Sequence, residues 1–239
     1  MVETVRLAKR LAAAIPCSHG EAERYIAGGW VLVDGVIAEE PGLRVLPQQQ
    51  VELLPNASAQ ALEPATFLLH KPADVVAELG VLLPLLDTTT RALDDHTRIR
   101  FLKRHLAHLE LLAPPQEHAS GLVVLTQDWR VARKLGAELN RIEQEYVVDV
   151  QGDLVPDGLT LLNHGLHWNG KPVASVKVSW QNETRLRFAL KAPQPGQIAG
   201  MCQQVGLRVS ALKRIRIGRV PMAVLPCGQW KYLAGYQRF

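Results

Sequence analysis

The amino-acid sequence predicts an α+β fold, in which a small module of two helices and a short sheet precedes a larger domain built on a mixed, mostly antiparallel sheet. Three observations lead there. Short runs rich in β-branched and other apolar residues recur along the chain, among them TFLLHKP, GLVVLT, YVVDV, RLRFAL and RIRIGRV. Helical patterns are scattered between them, without the regular strand-helix alternation of a parallel sheet. An Asp34-Gly35 pair between two apolar runs marks a β-hairpin near the start of the chain.

The elements follow in order. Leu7, Leu11 and Ala14 recur at helical spacing as far as Pro16. Ser18 with Glu21 three residues later is a capping box, so a second helix is predicted from about residue 19 to Ala27, stopped by Gly28-Gly29. WVLVDGVIA supplies the hairpin, and a further strand is expected at Arg44 to Leu46 or at Val51 to Leu54. These elements define a first domain over residues 1–55, and the stretch Pro55 to Pro64, rich in Ala, Ser, Asn and Pro, supplies a linker over 56–64.

The second domain, residues 65–239, opens with the strand TFLLHKP. Ile99, Leu102, Leu106 and Leu109 then share one face of a predicted helix over about 97–109, with Arg98, Lys103, Arg104, His105 and His108 on the other and Asp94 or Asp95 as its cap. GLVVLT is a strand, Asp128 caps the next helix, and YVVDV, VASVKVSW and RLRFAL are strands. A last helix from Gln197 to Val205 ends at Gly206, and RIRIGRV and QWKYL close the sheet.

With 239 residues, 47% of them hydrophobic, the chain is long enough to bury a substantial core. No run approaches the roughly 18 apolar residues of a membrane span, and MVETVRLAKR lacks the apolar stretch of a signal peptide. A cytoplasmic protein without membrane contact is expected. Cys17, Cys202 and Cys227 lie far apart and lack the paired spacing of a zinc or redox site, so no metal is expected.

The net charge of +4 conceals an asymmetry. Residues 1–60 carry 5 Lys/Arg against 7 Asp/Glu, residues 61–184 carry 12 against 16, and residues 185–239 carry 10 against none. A cationic block without an anion is the footprint expected for a polyanion, because each Lys or Arg near a phosphate releases condensed counterions.

Colinear segments across nearly the whole chain resemble the RsuA/RluF-type ribosomal RNA pseudouridine synthases, which join an S4-like RNA-binding domain to a catalytic α+β domain. R-L-A-K-R-L (6 to 11), C-S-H-G-E-A-E-R-Y-I (17 to 26) and G-W-V-L-V-D-G (29 to 35) are similar to the S4 pattern. L-L-H-K-P (68 to 72) resembles the opening strand of the catalytic domain, S-G-L-V-V-L-T-Q-D (120 to 128) the segment after the catalytic loop, and E-Q-E-Y-V-V (143 to 148) the strand bearing the active-site tyrosine. Q-I-A-G-M-C (197 to 202), G-L-R-V (206 to 209), R-I-R-I-G (214 to 218) and L-P-C-G-Q-W (225 to 230) resemble the C-terminal signature.

The resemblance implies isomerisation of uridine to pseudouridine in ribosomal RNA, by an aspartate acting as the essential carboxylate and a tyrosine against an extruded base, with no cofactor. Tyr146 takes the tyrosine position. RNA contacts are expected from Arg6, Lys9, Arg10, Lys71, Lys213, Arg214 and Arg216, and a monomer is expected. The family pattern G-R-L-D-x-x-T-S-G-L, however, aligns with A-P-P-Q-E-H-A-S-G-L, which puts Gln116 at the aspartate position, Pro114 at the arginine and Ala119 at the threonine. A glutamine amide is neither an ionised nucleophile nor an acid or base at neutral pH. Cations are missing elsewhere too: Ser18-His19-Gly20 stands for Ser-Arg-Arg, Gln144 for a lysine, and Gly196-Gln197-Ile198-Ala199-Gly200 for Arg-Gln-Ile-Arg-Arg. The expected function is an RNA-binding family member whose catalysis is lost or impaired. Two alternatives stay open: an active synthase using a displaced carboxylate, Asp94 or Glu117, and a protein-interaction module that no longer binds RNA.

Overall fold

The computed structural model describes residues 3–116, 118–174 and 176–239. The chain forms two compact units, Met1–Pro64 with Ile99–Ala107, and Ala65–Arg98 with His108–Phe239.

In the first unit, β1 (Val5–Arg6) runs into α1 (Leu7–Ala14), which buries Leu7, Ala8 and Leu11. At the start of α2 (His19–Ala27) the Ser18 hydroxyl accepts from the Glu21 amide while the Glu21 carboxylate accepts from the Ser18 amide, so the capping box is complete. β2 (Val31–Val33) and β3 (Val36–Ala38) are joined through Asp34 and Gly35 at φ +51° and +79°, the two positive values of a type I′ turn. Both candidate third strands form: β4 (Arg44–Val45) pairs with β1, and β5 (Val51–Leu53) pairs with β2. Leu7, Leu11, Ile26, Val31 and Val45 make the core between helices and strands.

The helix predicted over 97–109 does not form. The Asp95 carboxylate accepts from the Thr97 amide and hydroxyl, Arg98 takes φ +58°, and a 3₁₀ turn at Lys103–Leu106 is the helical geometry that remains. Asp95 thus caps a turn, and its other partners are Arg91 and the Tyr232 amide. The apolar spacing serves docking instead. Leu102 and His105 are buried, the Arg100 guanidinium lies 4.2 Å from the Trp30 ring centroid and donates to the Gly29 carbonyl, and the Lys103 amide donates to Glu39 at 2.8 Å. Helix propensity lost to this set of tertiary contacts.

The second unit contains β6 (Thr66–Lys71), α3 (Leu79–Leu82), β7 (Glu110–Leu112), β8 (Ser120–Thr126), α4 (Trp129–Ala137), β9 (Glu143–Gln151), α5 (Gly158–Asn163) and the short hairpin β10 (His167–Trp168) and β11 (Lys171–Pro172). Then come β12 (Lys177–Asn182), β13 (Arg185–Lys191), α6 (Gln197–Gln204), β14 (Arg208–Ile217), β15 (Val220–Pro221) and β16 (Trp230–Tyr232). Among the described residues the main sheet has nine strands in the order β12-β13-β9-β14-β8-β6-β16, with β15 beside β14 and β7 beside β8. β8 and β14 pair in parallel and the other neighbours antiparallel, so the fold is α+β on a mixed, mostly antiparallel sheet. Val148, Leu186, Phe188, Ile198 and Met201 form a core beneath α6, and Leu68, Leu122, Val124, Leu135 and Ile217 form a second one with α4.

Four of the ten cations in the block at the end of the sequence are ion-paired within this unit. Arg185 pairs with Asp149, Arg187 with Glu145, Arg216 with Glu143 and Glu145, and Lys231 with Asp94. Residues with opposite charge, far apart in sequence, have become cross-strand neighbours.

Candidate active site

Four strands of the second unit bring Lys71, Gly121, Arg214 and Tyr146 into one lateral row: Lys71 faces Gly121, Gly121 faces Arg214, and Arg214 faces Tyr146. Directly opposed residues share a sheet face, so the row gathers a lysine, an arginine and a tyrosine at the middle of the sheet. Their exposures are 2% for Lys71, 0% for Arg214 and 1% for Tyr146. Gly121 makes the approach possible: its φ is +104°, and a Cβ there would lie 2.1 Å from the Arg214 carbonyl oxygen.

One amide oxygen joins the two polar ends. Gln144 Oε1 accepts from Tyr146 Oη at 3.0 Å and from Arg214 Nη1 at 3.1 Å, while Arg214 Nε and Nη2 both donate to the Leu122 carbonyl, at 2.9 and 2.6 Å. Among the described residues Arg214 has no carboxylate partner. Burial pulls its pKa down from the ordinary value, opposed by Tyr146, and burial raises that of Tyr146, opposed by the Arg214 charge. Lys71 Nζ donates to the Pro72 and Val75 carbonyls, each at 2.6 Å; burial lowers its pKa and Asp74 opposes this.

Gln116, buried at 9% exposure, turns elsewhere. Its Nε2 donates to the Gln194 carbonyl at 2.8 Å, in the loop before α6, and among the described residues no hydrogen bond joins it to Tyr146. Asp94 accepts from Lys231 at 3.2 Å, beside β16, which stands four strands from β9. At the usual strand spacing that is roughly 19 Å across the sheet. Glu117 lies outside the described residues.

Of the cations expected to contact RNA, Arg6 and Lys9 are exposed on the first unit and Lys213 is half-buried. Arg10 donates to the Leu46 and Gln49 carbonyls, and Arg216 to Glu143 and Glu145 at 2.5 and 2.6 Å. Lys71 and Arg214 belong to the buried row. On α6, Gly200 is packed against an aromatic ring: a Cβ there would meet Trp168 Cζ3 at 2.0 Å. Among the described residues no three His, Cys, Asp or Glu side chains are grouped as a metal would require. No helix among them is long and apolar enough to cross a membrane.

Sequence reasoning singled out Gln144 as a missing lysine but not as the shared acceptor of Tyr146 and Arg214. The available signal was its spacing: two residues before Tyr146 on a strand, it has to lie on the same face.

The architecture matches that of a pseudouridine synthase. A crystal structure of a pseudouridylate synthase superposes with a TM-score of 0.59 at 17% identity, covering 96% of each chain. No family model matches the sequence. The dual-specificity RNA pseudouridine synthase RluF of Escherichia coli K12 is 26% identical over 236 residues, 96% of this chain and 76% of the relative. The ribosomal small subunit pseudouridine synthase A of Salmonella typhimurium is 25% identical over 221 residues, 91% of each. Over nearly its whole length the chain is similar in sequence to RsuA/RluF-type pseudouridine synthases, and its fold is that of a pseudouridylate synthase.

Proposed function

We propose that this protein binds ribosomal RNA without isomerising uridine, or with that activity severely impaired, as a degenerate member of its family with an S4-like first unit. One observation carries the reading: the polar cluster around Tyr146 is closed by the amide of Gln144, and no carboxylate among the described residues reaches Arg214. Gln116, at the sequence position of the family aspartate, adds a second amide and no ionisable group. A retained tyrosine and a retained cation keep the shape of a base-binding site, while the group that would attack or deprotonate is missing. The location of Asp94, paired with Lys231 on the far side of the sheet, is consistent with this reading.

RNA as the partner rests on family membership and on the exposed cations of the first unit. The test is tritium release from RNA labelled at uridine C5, run beside a salt series of RNA binding. Binding that weakens steeply between about 50 and 200 mM salt, without tritium release, is expected. Tritium release at the rate of an active family member overturns the inactive reading, and absence of salt-sensitive binding overturns the RNA partner.

A further inference from the structure

We propose that the strap Ile99–Ala107 is an RNA-contacting edge of the first unit, with Lys103 and Arg104 as the side chains that meet the phosphate backbone. This rests on the RNA-binding reading above and deepens it by saying where the first unit makes contact.

The electrostatics of the first unit point to the strap. Met1–Pro64 carries five Lys/Arg against eight Asp/Glu, a poor surface for a polyanion. Three of those five cations are also engaged internally: Arg10 with the Leu46 and Gln49 carbonyls, Arg24 with the Ala59 carbonyl at 2.6 Å, and Arg44 with Thr4. The strap adds Arg100, Lys103 and Arg104 and no acid, which brings the unit to eight against eight. The added charge is concentrated in nine residues.

The strap is also built to hold two of its cations outward. Leu102 and His105 are buried at 2% and 3% exposure. Arg100 is fixed over Trp30 and on the Gly29 carbonyl, and the Lys103 amide is held by Glu39. Between these anchors, Lys103 and Arg104 are exposed at the start of the 3₁₀ turn. Charges fixed on an ordered backbone lose less conformational entropy on binding than the same charges on a free loop. Gly29 shows how close the packing is, since a Cβ there, at φ +67°, would lie 2.8 Å from Leu102 Cδ2.

The experiment is fluorescence anisotropy of the full chain with a labelled ribosomal RNA hairpin, across a salt series. Four proteins are compared: the wild type, Lys103→Ala with Arg104→Ala, Lys103→Glu alone, and a control with Lys171→Ala and Lys177→Ala, two exposed cations of the second unit. The strap double variant is expected to lower the slope of log affinity against log salt by roughly 1.5, and to weaken binding about tenfold at moderate salt. Lys103→Glu gives a loss of the same sign with the strap anchors intact. Equal losses in the strap variant and the control overturn the proposal, because net charge alone then explains the effect. Wild-type binding that the strap variants leave unchanged overturns it while sparing the RNA reading; no salt-sensitive wild-type binding overturns both.

Discussion

Gly121 on β8 and Arg214 on β14 face each other across the parallel strand pair so closely that one Cβ would stand 2.1 Å from the Arg214 carbonyl oxygen and 2.7 Å from its amide nitrogen. Backbone cannot move aside as a flexible side chain does. Gly121→Ala is therefore expected to cost at least about 4 kcal/mol, combining a disfavoured φ of +104° with the clash. A urea titration measures it, and a midpoint close to that of the wild type would contradict the role given to this glycine.

Gln144 is expected to hold the Tyr146 and Arg214 ends together. Gln144→Leu removes the acceptor of both donors in a buried setting, for a loss of about 3 kcal/mol. Gln144→Glu keeps an acceptor and gives Arg214 an anion, so it is expected to retain most of the stability at pH 8. With its folded pKa depressed by Arg214, that contribution is present above the unfolded carboxyl value of about 4.3 and is lost as pH falls through the folded one. Equal destabilisation by both substitutions at pH 8 would show that the acceptor is not what matters.

Most of the strands were legible because the sheet buries continuous apolar runs. TFLLHK has all six residues buried, and the alternation in RLRFALK puts Leu186, Phe188 and Leu190 on one face. The capping box and the Asp34-Gly35 turn were legible because their chemistry is local. What misled was the stretch 97–109, where a helical spacing of apolar residues was satisfied by docking in a non-helical path, a choice made by Trp30 and Gly29 some seventy positions away in the chain. The cationic block was legible as a count but not as a surface: four acids on other segments, Asp94, Glu143, Glu145 and Asp149, pair with four of its ten cations. In the candidate site the sequence put Gln144 two residues before Tyr146, and only the fold revealed that it stands between Tyr146 and Arg214.

Gly200 lies inside α6 and presses on Trp168, with a Cβ expected 2.0 Å from Cζ3 and 2.8 Å from Cη2. Gly200→Ala in the wild type is expected to cost about 2 kcal/mol because the half-buried ring packed on it must shift. In a Trp168→Ala background the same change has room and is expected to gain up to about 1 kcal/mol from helix propensity. The double-mutant cycle reads this as a coupling of roughly 3 kcal/mol. Additive effects would show that Trp168 does not set the cost of a side chain at this position.

His105 makes the strap sensitive to acid. Its imidazole, 3% exposed, has its pKa pulled down from 6.5 to about 4, first by burial and then by the Arg104 charge. The neutral ring is the form that packs, and the unfolded chain binds the proton more readily than the folded one. The sign follows: this contribution is fully present above about pH 6.5 and is lost as pH falls toward 4, to a total on the order of 3 kcal/mol. Urea titrations at pH 7 and pH 5 compare the wild type with His105→Leu, which has no proton to take up. The wild type is expected to lose about 2 kcal/mol more than the variant over that interval, since most of the unfolded-state titration falls within it. Parallel losses in the two proteins would mean that the acid sensitivity arises elsewhere, and that the strap does not depend on a neutral His105.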